Sequence, residues 1–170
     1  MLHELSFSFG SPAVLKKIVA ENPDRQFKLL ANSGGNAEES LQLLDISGQP
    51  SQFTTELDYD VQLHAGVSTW DGFYSYNYFT FDADAAKVFD AKANLLAIND
   101  LPMGLRAMYV LTKKKNPSDY VLLTIWESSQ AFSLWRNSDA FKPFNLYATS
   151  ANHHHSSTYE PTRFPKEDEE

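Results

Sequence analysis

Histidine, asparagine and tryptophan are the residues of this chain best placed to do chemistry. His153, His154 and His155 stand in a row. A neutral imidazole can act as a base or a metal ligand near neutral pH. In an extended segment His153 and His155 face the same side, so they could share a metal or one could reach an iron. The other reading of the run is a solvated loop leading into a strand. His3 and His64 have no ligand spacing around them. Asn77 alternates with Phe73, Ser75, Phe79 and Phe81, which puts an amide on an apolar face. A buried amide without partners costs about 1–3 kcal/mol. Asn77 is therefore either satisfied by backbone or water, or aimed into a cavity. Trp135 follows Ala131 by four residues and Phe132 by three, the spacing of a helix stripe that faces a core.

Other chemistries find no support. The 170 residues include no cysteine, which removes disulfides, iron–sulfur clusters and thiol catalysis. No Ser-His-Asp order, Gly-rich phosphate loop or trusted carboxylate cluster is present. The net charge of −8 argues against nucleic acid or an anionic membrane as partner. Lys113-Lys114-Lys115 reads as a solvated basic hairpin tip. No apolar run reaches the ~18 residues of a membrane span. The start MLHELSFSFG has no basic region leading into an apolar core, so a cytoplasmic location is expected.

The elements that must position these residues follow from local pattern. Leu5, Phe7 and Phe9 alternate with polar residues in a strand over 3–9. Ser11 and Pro12 open a helix with Val14, Leu15, Ile18 and Val19 on one stripe, stopped at Asn22-Pro23. Strands are predicted over 27–32 and 40–46, joined by a turn at 33–36, and a less certain strand carries Tyr59, Val61 and Leu63. Residues 73–81 form a strongly alternating strand, with Tyr74, Tyr76 and Tyr78 on the face opposite Asn77. Asp82 caps a helix through Leu96, strands follow over 105–112 and 120–126, Ser128 starts a second helix, and a last strand covers 156–164. Residues 73–164 thus read β-α-β-β-α-β, the ferredoxin-like order. The expected organisation is a partial ferredoxin-like β-α-β-β unit over 1–65, a ferredoxin-like domain over 66–165 and an acidic tail over 166–170.

The segment VLLTIWESSQAFSLWRNSDAFKPF, residues 121–144, resembles the antibiotic-biosynthesis-monooxygenase domain. The likeness is to the branch with the IsdG-type haem-degrading monooxygenases, HmoB and the target of RNAIII-activating protein. The resemblance implies an α+β fold of the dimeric α/β-barrel type. Domains of this family pair sheet to sheet, so residues 1–65 are expected to take a partner's place in a pseudo-dimer; the alternative is an extra layer on a homodimer. The resemblance places Trp135 on the tryptophan that packs against haem, and Asn77 on the asparagine that bonds the distal ligand. These are the candidate catalytic residues. The family's iron-ligating histidine lies ten residues beyond the tryptophan, where this chain has Asn145, a poor ligand for iron. Arg136 and Lys142 near the implied pocket entrance could receive haem propionates. With Asn145 they are the candidate cofactor-binding residues, and no metal ligand is assigned. The resemblance implies a monooxygenase-like protein oxidising haem or a small electron-rich aromatic without a cofactor. The alternative is a non-enzymatic protein that binds haem or another small ligand, or is associated with stress, and has lost the iron ligand.

Overall fold

The computed structural model describes residues 2–33, 41–50, 57–99, 101–145, 147 and 149–164. The strands are β1 (Glu4–Gly10), β2 (Phe27–Asn32), β3 (Leu41–Asp45), β4 (Asp58–Gly66), β5 (Phe73–Thr80), β6 (Leu105–Lys113), β7 (Asp119–Trp126) and β8 (His155–Pro161). The helices are α1 (Pro12–Glu21), α2 (Ala83–Ile98), α3 (Ser129–Arg136) and the short α4 (Lys142–Asn145). The three expected caps hold their helices. The side chain of Ser11 accepts from the amide of Val14, Asp82 from Ala85, and Ser128 from Ala131, each satisfying a backbone donor that the first turn leaves open. The acidic tail and most of the turn expected over 33–36 lie outside the described residues.

All eight strands close into one antiparallel barrel, in the order β1-β3-β2-β8-β5-β7-β6-β4. Within it β8-β5-β7-β6 is the ferredoxin-like order of the C-terminal elements. The N-terminal strands repeat that order as β4-β1-β3-β2. The less certain strand expected around Tyr59, Val61 and Leu63 is β4, and it completes the sheet of the N-terminal β-α-β-β unit. Among the described residues no helix lies between β3 and β4. Two seams join the halves: β4 runs along β6, and β2 meets β8 only where Leu30–Asn32 face Tyr159–Pro161. One chain thus closes the barrel and leaves neither sheet with an open edge.

The two faces of β5 divide the core. Tyr74 and Tyr76 point into the barrel with Phe7, Leu44, Tyr109, Leu123 and Tyr159. Phe73, Phe79 and Phe81 point outward, where Phe89, Trp126, Phe132, Trp135 and Phe144 cover them. A third, smaller cluster packs Leu15 of α1 against Leu29, Leu41 and Leu43. A buried ion pair, Arg25 to Asp45 at 2.6 Å, ties the entry of β2 to the end of β3. The basic hairpin tip is not simply solvated: Lys114 reaches both Glu4 (2.9 Å) and Asp60 (2.7 Å) on β1 and β4. Among the described residues no helix is long and apolar enough to cross a membrane.

Candidate functional site

Asn77 is buried on the outer face of β5, under α3. Its Oδ1 accepts from Nε2 of His154 at 3.1 Å, and its Nδ2 lies 3.5 Å from the hydroxyl of Ser75. Among the described residues, the partners of the amide are thus side chains. His154 sits just before β8 in a half-buried position, with its ring against Phe79. Burial holds its pKa below the usual histidine value, and the nearby charges of His155 and Arg136 push the same way. The reading of the histidine run as a solvated loop is corrected for this member: His153 and His155 are exposed, whereas His154 turns inward. His153 has a positive φ of 49°, and that left-handed residue lets the chain rotate between neighbouring histidines. Among the described residues no group of three or more His, Cys, Asp or Glu side chains is arranged to hold a metal ion.

Around Asn77 lies a void of about 10 Å³, lined by Ser75, Asn77, Phe132, Arg136, Phe141, Ser156 and Thr158. Such a space has room for about one water. Asn77 and Arg136 thus share a site, with Arg136 exposed at the end of α3. Trp135 does not line this void. It is buried against Trp126 (5.1 Å between ring centres) and Phe141 (4.7 Å), and it borders a separate groove of about 390 Å³ with Met103, Ala131 and Leu134. Its indole N–H has no hydrogen-bond partner among the described residues, whereas that of Trp126 donates to Thr124 at 2.8 Å. Asn145 is exposed at the end of α4 and lines neither space. Lys142 is exposed and pairs with Asp139 of its own turn at 2.7 Å. Of the five candidates, then, Asn77 and Arg136 come together, while Trp135, Asn145 and Lys142 lie apart from that space.

His154 is the member of this constellation that the alternation on β5 did not reveal. Its signal was a histidine run next to a strand that must return beside β5, a relationship that emerges only from the β5–β8 register.

An aromatic helix over an antiparallel sheet, on a barrel closed by two ferredoxin-like halves, defines an α+β barrel. Residues 72–145 match the model of the antibiotic biosynthesis monooxygenase family. The fold is similar to that of a major regulator of staphylococcal pathogenesis, with a TM-score of 0.75 at 19% identity over 94% of this chain and 99% of that one. It is also similar to a monooxygenase-like protein of Listeria innocua, with a TM-score of 0.78 at 16% identity over 96% of each chain. A heme-degrading enzyme of Listeria monocytogenes aligns with a TM-score of 0.69 at 18% identity, over 92% of this chain and 98% of that one. No curated protein matches the chain in sequence.

Proposed function

We propose that this monooxygenase-like protein binds a small ligand and does not degrade haem. The observation that sets haem degradation aside is the void of about 10 Å³ beside Asn77. A site for a cofactor-sized molecule holds on the order of 300–1,000 Å³. Phe132, Trp135, Phe141 and Phe144 occupy the layer between sheet and α3. Haem does not fit the residues present there, because the space is filled and exposed Asn145 offers an amide where iron requires an imidazole. The heme-degrading activity of the Listeria monocytogenes protein therefore comes to this chain as a likeness of fold. In this reading Asn77 fixes His154 and Trp135 fills the core. Residues 1–65 serve as the built-in partner of 66–165, and the protein works as a monomer.

A second reading, oxygenation of an electron-rich aromatic without a cofactor, is favoured by one observation. Asn77 orients His154, and burial keeps that imidazole neutral and able to take a proton. It requires Phe132 and Phe141 to move aside and admit a substrate.

Haemin titration tests the proposal. The purified protein should give only a weak, unsaturated change in the Soret band, and the band should persist when ascorbate and oxygen are added. A saturating one-to-one complex whose Soret band decays under ascorbate would overturn it.

A further inference from the structure

Among the described residues, the barrel is covered at one end and open at the other. At the closed end Trp70 packs over the interior, stacked on Tyr109 at 4.9 Å, and its carbonyl accepts from the hydroxyl of Tyr74. At the opposite end, among the described residues, the contact of β2 with β8 reaches Thr158, whose carbonyl accepts from the amide of Ser33, and goes no further toward His155. A cavity of about 590 Å³ opens there, lined by residues of both halves, among them the inward-facing Phe7, Tyr59, Tyr78 and Tyr159. It lies across the sheet from Asn77 and shares neither Trp135 nor Asn77. Its volume is that of a small-molecule site.

Three features of the lining define what it would accept. First, the walls are flat rings. Phe7 stacks on Tyr59 at 5.3 Å with 14° between planes, and Tyr78 stacks on His155 at 4.4 Å with 9°. Phe9 is 48% exposed at the rim, an apolar ring facing water where one would normally be covered. Second, Tyr59 offers a hydrogen-bond donor. Its side chain is buried and borders the cavity, and burial, aided by Asp119, pushes its pKa up to about 12. It therefore stays protonated. Third, Lys113 and Asp119 both border the cavity, so their opposite charges give the mouth no net preference for an ionised ligand.

We propose that the open barrel mouth binds a flat, uncharged aromatic molecule bearing a carbonyl group, with its ring between the Phe9 and Tyr78 walls and its oxygen accepting from Tyr59. This assignment rests on the ligand-binding reading above, and supplies the place that the filled helix–sheet layer does not.

Fluorescence titration with 7-aminocoumarin tests it, since that probe is flat, neutral and carries a carbonyl. The native protein should bind it saturably, one to one, with a blue-shifted emission, and should bind 1-aminonaphthalene, which lacks the carbonyl, more weakly. Tyr59→Phe should weaken coumarin binding about fivefold. Phe9→Ala should weaken it by a similar factor of about five. Ser157→Trp should abolish binding by filling the cavity from a half-buried position, with the circular dichroism melt retained. Phe132→Ala, beside the helix–sheet void, should bind as the native protein does. Absence of saturable binding by the native protein overturns the barrel-mouth site, as does unchanged binding in a folded Ser157→Trp variant. If Phe132→Ala alone weakens binding, the ligand-binding reading survives and the barrel-mouth site falls. The haemin titration, by contrast, bears on the reading and not on this site.

Discussion

Nε2 of His154 lies 3.1 Å from Oδ1 of Asn77, and this contact joins the turn before β8 to the centre of β5 across the outer face of the sheet. Because the amide oxygen can only accept, Nε2 carries the proton. The remaining nitrogen, Nδ1, decides whether the ring is charged. Burial of the ring favours the neutral form.

A pH dependence follows from that preference. The pKa of His154 is lower in the folded protein than the ordinary 6.5. Between the two values the unfolded chain binds more protons, so stability rises with pH through that window. The contribution is fully present above the unfolded value and is lost as pH falls through the folded one. Urea unfolding of the native protein and of His154→Gln should therefore show their largest difference at pH 8 and a smaller one at pH 5. A difference that grows on acidification would mean that the ring is stabilised as the cation, through Asn77 or otherwise.

The two core tryptophans should respond differently to the same change. Both Trp126 and Trp135 are buried, and shortening either to phenylalanine leaves a cavity costing on the order of 1–2 kcal/mol. Trp126→Phe also strands the buried hydroxyl of Thr124, adding about 1–3 kcal/mol. Trp135→Phe removes an indole N–H that has no partner among the described residues, which offsets much of its cavity cost. Chemical denaturation should thus rank Trp126→Phe as clearly the more damaging. Equal losses would indicate that the Trp135 N–H finds a partner in solution, most simply a water.

The features legible in the sequence were the local ones. Ser11, Asp82 and Ser128 announced their helices because a capping side chain acts within three residues. The strict alternation over β5 fixed which residues share a face, so the tyrosines and Asn77 fell on opposite sides as read. On β4 the alternation of Tyr59, Val61 and Leu63 suggested one face, but the register shifts between Val61 and Leu63, so Leu63 packs with the outer cluster while Tyr59 and Val61 stay with the inner one. Closure of the barrel was beyond pattern reading. It depends on β2 meeting β8 and on β4 meeting β6, pairings between distant segments that each look like ordinary edges alone. The inward turn of His154 was hidden for the same reason, as was the separation of Asn77 from Trp135. Helical spacing tells which residues share a stripe, but not that Phe132 and Phe141 stand beside the amide while the tryptophan packs on Trp126.

That separation sets what would be needed to build a haem site here. Asn145→His would supply the missing imidazole, but at an exposed position outside the Asn77 void. The single substitution should leave haemin binding weak, because the space between sheet and α3 remains filled. Adding Phe141→Ala removes a buried ring that lines the void and packs against Trp135 at 4.7 Å. The double variant should lose about 3–5 kcal/mol of stability. It should also gain a saturable haemin complex with the spectrum of a histidine-ligated ferric iron, whereas Phe141→Ala alone should bind without that spectrum. Titration of the three variants, each checked for a cooperative melt, separates ligand from space. If Asn145→His alone binds haemin tightly, the helix–sheet layer opens more readily than its packing implies, and the missing histidine was the principal barrier.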